Sequence, residues 1–180
     1  MPCATTLYLD LETDAAIRRL WQGIEDAGLP SIMPNLGYRP HISLAVCETM
    51  DVAEMRKILP PLLSVTPAIP LIFSYLGVFS KSDGVVYLGV TASRGLLEFH
   101  EKIWQIMAAH TSGHSEYYSP GVWVPHITIN YDLTPEQVGR VVTTVLKLPI
   151  PLTGVATELV VTDVAPTGYT DLFARKLGAI

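Results

Sequence analysis

The pentapeptide at positions 40–44 reads PHISL, and the one at positions 125–129 reads PHITI. One short chain writes the same pattern twice, exchanging only a serine for a threonine and a leucine for an isoleucine. Side chains on a β-strand alternate between its faces, so His41 and Ser43 share one face while Ile42 and Leu44 share the other. His126 and Thr128 are related in the same way, opposite Ile127 and Ile129. Each segment is therefore expected to bury an aliphatic pair and to present an imidazole beside a hydroxyl.

The surroundings of the motif repeat as well. Residues 5–11 nearly alternate apolar and polar side chains and are expected to form a first strand. Behind Thr13, a candidate N-cap, Ile17, Leu20, Trp21 and Ile24 recur at helical spacing, and Gly28 with Pro30 supplies the stop. A loop over residues 30–38 then leads into PHISL. Asp51 opens a helix expected to close near Leu59, because the pair Pro60 and Pro61 cannot continue a helix interior. Residues 69–79 and 85–91 are rich in β-branched and aromatic side chains, and KSDG at 81–84 reads as the turn of a hairpin.

Leu96, Leu97, Ile103, Trp104 and Met107 mark an amphipathic helix over residues 94–109. A loop over residues 111–121 precedes PHITI. TPEQ at 134–137 combines an N-cap, a proline at the first helical position and a reciprocal glutamine, which predicts a helix to about Leu146. Strands over 159–164 and 171–177, joined by the turn APTGY at 165–169, close the chain.

The order helix, motif strand, helix, hairpin thus occurs twice, with offsets of eighty to eighty-five residues between matching features. Two copies of so long a period indicate a duplicated lobe and not a solenoid. The expected fold class is α+β: a bilobal, pseudo-two-fold duplication with antiparallel sheets lining a central cleft and helices outside. The lobes would cover residues 1–92 and 93–180 of a single domain, with strands free to exchange between them.

Composition bounds this reading. In 180 residues, 49% are hydrophobic and only 16% charged, which excludes a disordered tail and fits one well-buried unit. No apolar run approaches the roughly 18 residues needed to span a bilayer, and the N-terminus lacks the basic start and apolar stretch of a signal peptide, so a cytoplasmic protein is expected. A net charge of −5 and a pI near 5.4 exclude a broad surface for long nucleic acid. A small phosphorylated ligand needs only a local positive spot. Cys3 and Cys47 form no spaced motif, so neither a disulfide framework nor a zinc site is expected.

If the two motif surfaces face each other, two imidazoles and two hydroxyls bracket a small group. Cleavage of a phosphodiester needs one group to take a proton from the nucleophile and another to give one to the leaving oxygen, and histidine titrates in the useful range for both. Hydroxyls donate hydrogen bonds to the non-bridging oxygens. No metal is required for that chemistry.

PHISL and PHITI resemble the paired H-x-[ST]-x motifs of the two-histidine (2H) phosphoesterase superfamily, which includes bacterial 2'-5' RNA ligase-like proteins and 2',3'-cyclic nucleotide phosphodiesterases. The resemblance covers nearly the whole chain through motif spacing and element order. It implies the two-lobed α+β fold, no cofactor, His41 and His126 as acid and base, and Ser43 and Thr128 as ligands of the phosphate oxygens. The activity it implies is opening of a 2',3'-cyclic phosphate on a nucleotide or RNA end. One histidine would activate water, and the other would protonate the departing 3' oxygen to leave a 2'-phosphate. The rival readings are 2'-5' ligation or cleavage at the same cleft, and a nucleotide- or RNA-end-binding module without turnover. A monomer with no membrane partner is expected.

Further candidates flank the motifs. Arg39, two residues before His41, reaches phosphate if the strand extends that far, although Val124 stands at the matching place of the second copy. Tyr38, Trp123 and Tyr169 offer faces on which a nucleobase can stack, while Trp123 serves equally well as core filling. Tyr169 lies in the final turn, where members of the resembled family often carry an aromatic near the substrate. His100 falls at the edge of its helix's apolar stripe, His110 near that helix's C-terminus and His114 in a polar loop. None of the three has ligand spacing with a partner.

Overall fold

A computed structural model describes residues 2–79, 84–165 and 168–178. Its centre is a seven-stranded antiparallel sheet, and the chain is an α+β fold. The strands are β1 (Cys3–Leu9), β2 (His41–Cys47), β4 (Ile69–Phe79), β5 (Val85–Val90), β7 (His126–Asn130), β8 (Thr153–Ala165) and β9 (Gly168–Lys176). Their order is β2-β1-β8-β4-β5-β7, with β9 also on β8. β8 bonds β1 along one edge, and on its other edge bonds β4 at its start and β9 further along. The hairpin β4–β5 of the first half thus adjoins β7, while the hairpin β8–β9 of the second half adjoins β1.

β2 and β7, the carriers of the two motifs, end that path yet lie against each other. Burial along them alternates as the sequence predicts. Ile42, Leu44, Ile127 and Ile129 are buried, and His41, Ser43, His126 and Thr128 remain partly open.

The helices α1 (Leu11–Asp26), α2 (Ile32–Asn35), α3 (Val52–Val65), α4 (Arg94–His110) and α5 (Pro135–Val145) turn their apolar stripes inward. Ile17, Leu20, Trp21 and Ile24 of α1 join Ile103 and Met107 of α4, Val141 and Val145 of α5 and the aliphatic faces of β1, β2, β7 and β8 in one core. Each such side chain contributes about 1.5–3 kcal/mol of transfer free energy. α5 starts as expected, with Thr134 and Gln137 forming a reciprocal capping box.

Several local expectations are corrected. Asp10, not Thr13, caps α1: its carboxylate accepts from the Thr13 N–H at 2.9 Å and the Thr13 hydroxyl at 2.8 Å. β1 accordingly begins and ends two residues earlier than the alternation suggested. α3 runs through Pro60 and Pro61 to Val65, because Met55, Leu59 and Leu63 form one wholly buried stripe whose packing outweighs the proline penalty of about 3 kcal/mol each. The stretch at 30–38 contains the single turn α2, and the start of the stretch read as the loop 111–121 forms β6 (Thr111–Ser112), which pairs with β3 (Thr49–Met50) in a short ribbon. Lys81, Ser82 and Asp83 of the KSDG turn and Pro166 and Thr167 of APTGY lie outside the described residues.

Candidate active site

Both motif histidines are held by the same short-range device. His41 Nδ1 lies 2.7 Å from the Arg39 carbonyl, and His126 Nδ1 lies 2.7 Å from the Val124 carbonyl. A carbonyl oxygen only accepts, so in each neutral ring Nδ1 carries the hydrogen and Nε2 holds the free lone pair. Among the described residues no protein group bonds either Nε2. A neutral ring is therefore poised as a base at Nε2, and a protonated one as an acid at the same atom. The unlike side chains Arg39 and Val124 do not disturb this match, because the backbone makes the contact.

The electrostatics differ on the two sides. Burial pushes the His41 ring down to about 4; its bond to the Arg39 carbonyl and the nearby Asp171 carboxylate oppose that fall, while a charge on His126 deepens it. Burial also lowers His126, against its carbonyl bond. The two imidazoles are thus close enough for their charges to interact, and protonating both at once is disfavoured.

Around His41 the neighbours are aromatic and charged. The rings of Tyr38 and Tyr169 each lie 5.8 Å from it at interplanar angles of 23° and 26°, and 4.7 Å from each other. The Arg39 guanidinium sits 3.9 Å over the Tyr8 ring and 4.0 Å from the Asp171 carboxylate, to which the Tyr8 hydroxyl donates at 2.6 Å. Arg39 precedes β2 and is not part of it, and its side chain remains 41% exposed, so the cation is held at the site but not consumed by a tight ion pair.

Around His126 the neighbours are apolar. Phe79 and Tyr87 meet its ring edge-on at 5.0 and 5.2 Å. Tyr87 faces Gly77 across the β4–β5 pair, where a Cβ on the glycine would lie 2.3 Å from the phenol ring. Only a missing side chain lets that ring lie flat on the strand and buttress His126. Beyond it opens a cavity of about 680 Å³ lined by His126, Thr128, Trp123, Tyr117, Tyr118, Tyr131, Phe79 and small aliphatics.

The structure brings His126, Thr128 and Trp123 together at this cavity, and His41 with Tyr38, Tyr169 and Arg39 beside it. Ser43 bridges the two groups: its carbonyl accepts from Trp123 Nε1 at 2.9 Å, and its side chain bonds the Tyr118 phenol, whose pKa burial raises. Sequence reasoning missed Asp171, Tyr8, Tyr87, Tyr117, Tyr118 and Tyr131. Tyr8, Tyr87 and Asp171 lie between 33 and 45 residues from the nearer motif histidine, Tyr117 and Tyr118 lie in the 111–121 stretch that shows no periodicity, and only Tyr131, five residues past His126, was within reach of the motif itself.

His100 is also corrected. It is 2% exposed, not marginal, and lies flat against Trp123 at 3.9 Å. His110 ends α4 and His114 bonds Thr111, and neither lines the cavity. Among the described residues no three His, Cys, Asp or Glu side chains gather at metal-binding separation, and no helix is long and apolar enough to cross a membrane.

The model of the 2'-5' RNA ligase superfamily matches residues 10–165. The chain belongs to that superfamily of 2H phosphoesterases. Its members are phosphoesterases, which places the chain among enzymes that act on phosphodiester bonds or process RNA ends. Solved structures agree in fold. Escherichia coli LigT complexed with 3'-AMP is 22% identical with a TM-score of 0.60, over 97% of this chain and 96% of that one. A further phosphoesterase is 23% identical with a TM-score of 0.62, over 98% of both chains. Usb1 of Kluyveromyces marxianus is 13% identical with a TM-score of 0.50, over 95% and 97%. No curated protein matches the sequence.

Proposed function

We propose that this protein is a metal-independent phosphodiesterase that opens the 2',3'-cyclic phosphate of a nucleotide or RNA end and leaves a 2'-phosphate. The observation that carries the reading is the pair of imidazoles, each tied at Nδ1 to a backbone carbonyl and each free at Nε2, on neighbouring strands. Water attacks phosphorus and gives its proton to Nε2 of the neutral histidine. The bond from phosphorus to the 3' oxygen breaks, and that oxygen takes the proton from Nε2 of the protonated partner. The Ser43 and Thr128 hydroxyls donate to the non-bridging oxygens, where charge sits in the transition state. Arg39 adds a cation on the His41 side.

The sugar and base fit the neighbouring aromatic surfaces: Trp123 in the cavity, and Tyr38 and Tyr169 beside His41. That LigT holds 3'-AMP is consistent with a mononucleotide at such a site. The lowered histidines also suit one base and one acid, because a charge on His126 disfavours a second charge on His41.

The test is hydrolysis of the four nucleoside 2',3'-cyclic monophosphates in EDTA, with identification of the product isomer. Wild type should yield 2'-phosphates, and His41→Ala and His126→Ala should each lose at least roughly a hundredfold in kcat. An inactive wild type, or variants that match it, would leave the motif to binding or to 2'-5' chemistry on a longer substrate.

A further inference from the structure

A histidine outside the doubled motif stands directly behind the cavity wall, stacked on Trp123. His100, on α4, is 2% exposed. Its ring and that of Trp123 are stacked at 3.9 Å with an interplanar angle of only 7°. Its Nε2 lies 3.2 Å from the Leu44 carbonyl and 3.0 Å from the Tyr118 carbonyl. Both partners only accept, so Nε2 carries the hydrogen and shares it between them. Trp123 in turn donates to the Ser43 carbonyl at 2.9 Å. One imidazole therefore closes a loop of contacts that runs from β2 beside Ser43, through the turn at Tyr118, to Trp123 and back to Ser43.

Two consequences follow from that geometry. Trp123 has both its ring plane and its N–H direction specified, so it presents a rigid wall to the cavity. The Tyr118 backbone, which precedes the wall segment carrying Trp123, is tied to the strand that carries His41 and Ser43. Burial lowers the His100 pKa, which suits a ring that stays neutral and keeps a single N–H for the two carbonyls.

We propose that His100 is a positioning residue for substrate: by stacking on Trp123 and bonding Leu44 and Tyr118, it sets the aromatic wall against which the nucleoside portion of the substrate is held. This rests on the cyclic-phosphodiesterase reading for its ligand, and not for its structural part. His100 does not touch the reacting atoms, so its loss should weaken binding while leaving proton transfer at His41 and His126 intact.

Two variants separate its contributions. His100→Phe keeps a flat ring and loses both hydrogen bonds, and His100→Gln keeps an N–H donor and loses the ring. For each, KM and kcat with 2',3'-cyclic AMP, the Kd for 2'-AMP and the indole N–H signal of Trp123 are measured, the signal being assigned by Trp123→Phe. KM and Kd should rise about tenfold, a loss of about 1.4 kcal/mol in binding, with kcat within about threefold of wild type. The Trp123 indole signal should shift and exchange faster with solvent, most in His100→Gln.

The proposal is overturned if the indole signal keeps its position and exchange rate in both variants. It is equally overturned if the signal moves and thermal stability drops while KM and Kd stay at wild-type values, for then His100 serves only the core. A wild type that hydrolyses no cyclic nucleotide sinks the functional reading instead, and the Kd for 2'-AMP with the indole signal still decides the role of His100.

Discussion

Asp171 is the carboxylate whose field supports a proton on His41, against the burial that removes it. It accepts from Tyr8 at 2.6 Å and stands 4.0 Å from Arg39. Asp171→Asn keeps an oxygen for the Tyr8 hydroxyl and removes the charge, so the ring's surroundings stay in place. The His41 pKa should then fall below its present value of about 4, while His126 moves little. Titration of both rings by NMR measures this, and an unmoved or raised His41 would show that the carboxylate does not act on it. None of this was legible in the sequence. Asp171 lies 130 positions from His41 and reaches it only because β9 is brought beside β8 and Tyr8 bridges the gap.

At the scale of elements, the α1 start illustrates how a local signal can be misread by three residues. Thr13 has the hydroxyl of a cap, yet Asp10 takes the position because it also accepts from the Val155 N–H of β8 at 2.9 Å, tying the helix to the sheet. Burial raises the Asp10 pKa, but these hydrogen bonds from Thr13 and Val155 outweigh it and hold the carboxyl below the usual range. Because the folded pKa lies under the unfolded one, the stabilisation is present above the ordinary carboxylate pKa and is lost as pH falls through the folded value. Asp10→Ala should lower unfolding free energy by about 2 kcal/mol at neutral pH, and the gap from wild type should narrow in strong acid. Denaturant unfolding at pH 7 and about pH 3 measures both. A gap that stays constant would assign the effect to packing and not to the ionised cap.

For the molecule as a whole, three histidines, the buried His100 and the partly open His41 and His126, are lowered by their surroundings. In the unfolded chain they titrate near 6.5, so below that pH the unfolded state binds more protons than the folded one. Stability should be complete above about pH 6.5 and fall as the pH drops toward the folded values. Thermal melts between pH 7 and 5 should show a declining Tm, and the decline should be shallower in His100→Phe, which has one titrating ring fewer. A Tm that is flat or rises over that interval would mean that the rings are not buried neutral.

The doubled PHISL and PHITI, with their period-two alternation, determined by themselves which residues face the core and which stay partly open, because strand geometry leaves a side chain only two directions. Amphipathic spacing likewise located the main helices, and the Thr134–Gln137 box placed the start of α5. The repeat carried the superfamily. Only the tertiary structure decided which strand lies beside which, since hairpin β8–β9 could have joined its own half but bonds β1. It also decided that α3 tolerates two prolines, that His100 is core and that Asp171 faces His41. These outcomes depend on contacts between residues far apart in the chain. Local propensity has no access to them, because the free energy that settles them comes from burial and charge assembled only when the sheet forms.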